Sequence, residues 1–198
     1  MLLAGDIGGT KTAVALFATE SDSLQPIVEM TFQNREYDSL ETIIYDFMRD
    51  NPQAVASASF GVAGPVVKGQ AKITNLPWVI DQEAIQKTFN FPSVHLLNDL
   101  ESIASAVPHL TSTEDFVTLN EGTVEAEGAI AVIAPGTGLG EAFLVWDGSK
   151  YQAHPSEGGH VSFGPTNPEQ VDLLVHMLEK FEHVSVERVC SGTGSPNI

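Results

Sequence analysis

The stretch GDIGGTKT, Gly5 to Thr12, decides how the chain is read. It comes within one residue of the phosphate-binding P-loop pattern, a glycine and four free positions before Gly-Lys-Ser/Thr. Gly5, Lys11 and Thr12 fit, but Thr10 stands where the second glycine belongs. A P-loop also runs into a helix, whose N-terminal amides hold the phosphate. Here apolar runs lie on both sides, Met1 to Ala4 before and Thr12 to Phe17 after, so the pattern predicts strand, glycine turn, strand. Gly5, Gly8 and Gly9 are expected to give the turn positive backbone angles and to let an anion approach the main chain, whose amides form a nest without a helix. Asp6 is an acid beside that nest, which implies a hydrated metal ion between it and the phosphates. On this stretch alone, a plain glycine hairpin without a ligand is the alternative.

The chain has 198 residues, 42% of them hydrophobic, enough for one ordinary domain or two small ones. No run is long and apolar enough to cross a membrane, and Asp6 with its glycines interrupts the first apolar run too early for a signal peptide. A cytoplasmic location is therefore expected. Cys190 is the single cysteine, which excludes a disulfide framework and a four-thiolate zinc site. The formal charge of −17, with nine Lys and Arg, argues against nucleic-acid or acidic-membrane partners, which need a basic patch. A phosphate ligand must then be held locally, by amides, Lys11 and metal.

After the hairpin, residues 27–32 read as a third strand. Residues 38–49 read as a helix, with Asp38 as N-cap, Glu41 as capping-box partner, and Leu40, Ile43, Ile44 and Phe47 on one face. Further strands are expected at 55–62 and 94–97, and helices at 81–89, from an Asp81 cap, and at 99–107, ended by Pro108. Three strands followed by alternating helices and strands give an α/β domain with a mixed sheet. Residues 111–128 are polar and acidic and read as a loop-rich crossing. Beyond it the opening is repeated: an apolar strand at 129–134, the glycine turn of PGTGLGEA, and a strand at 142–146, with a helix near 171–181.

Seven motifs in order, GDIGGTKT, GVAGPV, ITNLPW, LLNDLESIA, APGTGLGEA, HPSEGGH and ERVCSGTG, make the chain resemble the bacterial glucokinases of the hexokinase and actin-like ATPase superfamily. The resemblance implies the actin-like ATPase (ribonuclease H-like) two-lobed α/β fold with mixed β-sheets. Residues 1–110 would form the small N-terminal lobe and 111–198 the first part of the large lobe. It also implies that ATP and Mg²⁺ are the cofactors, held by Asp6, Gly8, Gly9, Thr10 and Lys11 on one loop and by Gly136, Thr137 and Gly138 on the other, with Asp6 toward the metal.

Phosphorylating a hydroxyl needs a base for its proton. LLNDL places Asp99 after a buried strand at a helix start, where an ordinary N-cap and a general base fit equally well. The family motif makes it the general base, with Asn98 beside it on a sugar hydroxyl. His154, Glu157 and His160 have spacing that invites a metal, but Pro155 and the Gly158-Gly159 pair prevent the helix that would align them. The resemblance makes Glu157, His160 and Glu187 hydrogen-bond partners of glucose; Glu187 also suits a helix N-terminus. Asn75 is a candidate for lining the cleft, and Trp78 reads as a packing residue. His95, His109, His176 and His183 read as surface or structural residues.

The expected activity is ATP-dependent phosphorylation of glucose at its 6-hydroxyl, in an enzyme that acts as a homodimer. A kinase of another hexose or of an N-acetylhexosamine, and a non-catalytic sugar sensor, are the alternatives. Members of the family continue well past SGTGSPNI, so the chain reads as truncated within the second lobe. Residues 1–198 alone are then expected to expose an apolar face, to associate or dissolve poorly, and to be inactive.

Overall fold

The computed structural model describes residues 1–19, 25–73, 76–110 and 115–197. Strands β1 (Leu2–Ile7) and β2 (Lys11–Phe17) form the expected hairpin, and β3 (Val28–Gln33) extends it. Helix α1 (Leu40–Asp50) crosses to β4 (Ser57–Val62), which pairs parallel to β1. A small antiparallel meander of β5 (Val66–Val67), β6 (Gln70–Lys72) and β7 (Val79–Asp81) precedes α2 (Gln82–Phe89). Then β8 (Val94–Asn98) pairs parallel to β4 and leads directly into α3 (Asp99–Ala106). The sheet order β3-β2-β1-β4-β8 is mixed, antiparallel on the hairpin side and parallel on the other.

Alternation along the strands builds the core. Leu3 and Ile7 from β1, Val14 and Leu16 from β2, Ala58, Phe60 and Val62 from β4 and Val94 and Leu96 from β8 are all buried. Leu40, Ile43, Ile44 and Phe47 of α1 lie buried in the same core, and Trp78 packs there too. The helix does not start as its acids suggested. Ser39 is the N-cap, its Oγ accepting from the Thr42 amide at 3.4 Å while Thr42 Oγ1 accepts from the Ser39 amide. With Leu40 as the first helical residue, Asp38 lies outside the cap and Glu41 falls one residue short of the capping-box position. Asp81 does cap α2, accepting from Ala84 N at 3.0 Å, and Asn90 ends that helix in the left-handed region.

The expected role of the first glycines is also corrected. Positive φ among the described glycines occurs at Gly64, Gly69 and Gly148, and not in the GDIGG turn. Gly5 is a strand residue; a Cβ there would come within 2.6 Å of the Phe60 ring, so close packing is what requires glycine.

The chain divides into two compact units, Met1–Ser102 and Ile103–Ile198. Within the second, residues 115–128 are irregular, and β9 (Ile130–Pro135), β10 (Leu139–Trp146) and β11 (Tyr151–Ser156) form an antiparallel meander in the order β11-β10-β9. Strand β11 is an edge, where Pro155 is tolerated. Helix α4 (Pro168–Leu178) starts three residues earlier than its apolar spacing indicated, because Asn167 caps it through the Gln170 amide and proline suits the first turn. Burial is sparse here. Leu139, Ala142 and Leu144 of β10 and Met177 of α4 are buried, whereas Ile133, Phe143, Val145, Val171, Val175 and Leu178 are exposed. Among the described residues no helix is long and apolar enough to cross a membrane.

Candidate active site

In the first unit the β1–β2 turn is tied down from one side. Gly8 N donates to Lys11 O at 3.0 Å, and the buried Asn34, just past β3, donates from its main chain to Thr10 O and from Nδ2 to Gly8 O, each at 2.9 Å. Asp6 stands near the carboxyl end of β1, in register with Gly61 on the parallel strand β4. A Cβ at Gly61 would come within 2.9 Å of Ser102 Oγ, so glycine keeps α3 close to the sheet. Asp99 opens α3 at the end of β8. The carboxyl ends of parallel strands are where α/β sheets hold their ligands.

Burial, and then the negative charge of Asp99, raise the Asp6 carboxyl above its ordinary range. The structure thus brings these two predicted acids into one electrostatic neighbourhood. Asp99 is not the helix cap. That role falls to Asn98, whose Oδ1 accepts from Leu100 N at 3.1 Å and Glu101 N at 3.4 Å while its Nδ2 donates to Gly64 O at 3.0 Å. Asp99 accepts from Leu100 N at 2.8 Å and otherwise sits in the first turn, where the helix dipole favours a carboxylate. Asn75 lies outside the described residues.

In the second unit the Gly136-Thr137-Gly138 turn between β9 and β10 closes with Gly136 N donating to Gly138 O at 2.9 Å. The ERVCSGTG segment, whose sequence offered no clue to this role, folds against it. Gly192 N donates to Gly136 O at 2.8 Å, and the Thr193 amide and Oγ1 both donate to Thr137 O, at 3.0 and 2.9 Å. Glu187 Oε2 accepts from Leu139 N at 2.8 Å. A Cβ on Gly192 would reach within 2.8 Å of Gly136 O, so glycine is needed there for the close approach, and one on Gly138 would displace the Glu187 carboxylate from its place beside the turn. Glu187 does not open a helix; it lies in a run of turns.

The same carboxylate reaches the SEGGH loop. His160 Nε2 is 3.9 Å from Glu187 Oε1, His160 Nδ1 is 3.3 Å from Glu157 Oε2, and the Glu187 amide donates to Gly159 O at 2.9 Å. Three predicted sugar-side residues therefore form one row, Glu157, His160, Glu187, offering acceptors and an imidazole to vicinal hydroxyls. His154 stands apart on β11, its ring stacked on Phe143 at 5.3 Å. Among the described residues no three His, Cys, Asp or Glu side chains form a metal cluster.

A sequence profile of the glucokinase family matches residues 3–198. The chain belongs to the glucokinase family. The glucokinase of Trichormus variabilis is 41% identical over 199 residues, covering 98% of this chain and 58% of that relative. Among solved structures, a glucokinase from an Antarctic psychrotroph superposes with a TM-score of 0.89 at 30% identity, over 99% of this chain and 62% of its own. A Balamuthia mandrillaris glucokinase in complex with glucose superposes with a TM-score of 0.66 at 26% identity, covering 98% and 60%. The chain thus spans about three fifths of the length of the glucokinases it matches. Its fold is the α/β, actin-like ATPase fold of these sugar kinases, with the mixed sheet expected of it.

Proposed function

We propose that the chain belongs to an enzyme that transfers the γ-phosphoryl group of ATP to the 6-hydroxyl of glucose, with Asp99 as general base. The observation that carries this reading is the placement of Asp6 and Asp99 at the carboxyl ends of parallel strands of one sheet, near enough that the charge of Asp99 helps to raise the Asp6 carboxyl. Such a pair divides into two roles. Asp99, on the first turn of α3, accepts the proton of the attacking hydroxyl as the phosphoryl group arrives in line. Asp6 would hold Mg²⁺, through water, and its raised carboxyl fits that group because a cation offsets the repulsion from Asp99. When bound, the ion supplies charge neutralisation to the phosphates.

The remaining roles follow from the local chemistry. Gly9, Thr10 and Lys11 present main-chain amides and one cation to phosphate oxygens while Gly8, its amide closing the turn on Lys11 O, lets the anion approach, and Gly136, Thr137 and Gly138 present the second turn. Asn98 fixes the start of α3 and so the position of Asp99. Glu157, His160 and Glu187 accept from and donate to sugar hydroxyls. Support comes from the family membership and from the glucose complex of a relative with the same fold. A coupled kinase assay of the full-length enzyme, extending beyond residue 198, with ATP and Mg²⁺ over a panel of hexoses and N-acetylhexosamines tests the reading. Turnover with glucose well above the other sugars is expected. Its absence, or preference for an N-acetylated sugar, would overturn it.

A further inference from the structure

We infer that Asn34 is a positioning residue for the first phosphate loop, aiming its main-chain amides at the nucleotide; the inference rests on the phosphate-binding role proposed for Gly8 to Lys11. Asn34 is 1% exposed, in a short 3-10 turn (Asn34–Glu36) after β3, and lies 26 residues from Gly8 in sequence. Its side chain is used at both ends. Oδ1 accepts from the hydroxyl of the fully buried Thr12 at 2.8 Å, and Nδ2 donates to Gly8 O at 2.9 Å. Its main-chain amide holds Thr10 O at 2.9 Å.

These bonds orient two peptide planes of the loop. In a planar trans peptide the carbonyl and the following N–H point in opposite directions. With Gly8 O turned to Asn34, the Gly9 N–H points away from it; with Thr10 O turned to Asn34, so does the Lys11 N–H. One buried residue therefore turns two amides of the loop, those of Gly9 and Lys11, to the side opposite itself, where they are left to donate to an anion. Only a side chain with a donor and an acceptor of this length serves. Aspartate would set a buried carboxylate against the Gly8 carbonyl, and alanine would leave the Thr12 hydroxyl and Gly8 O without partners. Thr12 fixes which end of the amide faces which partner, because its hydroxyl donates to Oδ1.

The test is N34A, N34D and the double substitution T12V/N34L in the full-length enzyme, with melting temperature, affinity for a non-hydrolysable ATP analogue with Mg²⁺, and glucose affinity measured separately. N34A is expected to weaken the analogue by about tenfold, the factor that one directed hydrogen bond of ordinary strength gives, and to leave glucose within about twofold. N34D is expected to be weaker still. The double variant replaces the buried polar pair by apolar groups, so its melting temperature recovers toward the parent while analogue affinity stays low. Recovery of both together would mean that Asn34 serves only stability and would overturn the inference, as would unchanged analogue affinity in N34A. Failure of the full-length parent enzyme to bind the analogue would instead overturn the proposed function.

Discussion

Glu187 and Leu139, 48 residues apart, are joined by a 2.8 Å hydrogen bond from the Leu139 amide to the Glu187 carboxylate. That bond ties the residue closing the His160 row to the first residue after the second glycine turn. Glu187 therefore has two tasks, and two substitutions separate them. E187Q keeps an acceptor for the Leu139 amide but loses the charge beside His160. It is expected to raise the KM for glucose by about tenfold with the nucleotide KM little changed. E187A loses the acceptor as well and is expected to raise both. Steady-state kinetics on the full-length enzyme decide this, and an unchanged nucleotide KM in E187A would show that the turn does not need the bond.

The Glu157 side chain is 93% exposed and that of His160 64%, so neither stabilises the fold by burial. Glu157→Ala and His160→Ala are expected to weaken glucose by about tenfold each without changing melting temperature or nucleotide affinity. Calorimetry with each ligand in turn is the check. Equal loss of both ligands would mean that the SEGGH loop supports the unit and does not contact sugar.

The turn between β10 and β11 carries a pH dependence. Asp147 accepts from Gln152 Nε2 at 2.7 Å, from Lys150 N at 2.9 Å and from the Ser149 amide and hydroxyl at 2.8 Å, while Gly148 takes the positive φ of the turn. The Gln152 bond first, then those of Lys150 and Ser149, hold its carboxyl well below the usual carboxylate range. A depressed carboxyl stabilises the fold fully above the unfolded value of about 4 and less as the pH falls below it toward the folded value. The melting temperature of the parent minus that of D147N should therefore be largest near neutrality and shrink below about pH 4. A difference that grows on acidification would contradict the assignment.

Much of the first unit was legible because its signals are local. A glycine turn between two apolar runs defines the hairpin, the 3.6-residue spacing of Leu40, Ile43, Ile44 and Phe47 defines α1, and Asp81 marks the start of α2. Three things were hidden for physical reasons. The β5 to β7 strands are two or three residues long, too short for an alternation to register. Strand β11 carries His154 and Pro155, which an edge position accommodates but which no strand pattern announces. The contacts of Asn34 with Gly8 and Thr12, and of Glu187 with Leu139, join residues 22 to 48 positions apart, and only the folded chain brings them together. The glycine turn was foreseen for its place and not for its geometry, since packing against Phe60, rather than positive φ, is what Gly5 serves.

The central claim is that Asp99, freed from capping by Asn98 and placed at the start of α3, removes the proton of the attacking hydroxyl. It is tested most directly by the turnover of Asp99→Asn in the full-length enzyme, with glucose binding measured beside it. Turnover is expected to fall by at least about 10²-fold while glucose affinity stays within about tenfold, the pattern of a lost general base. Near-normal turnover in this variant would contradict the account.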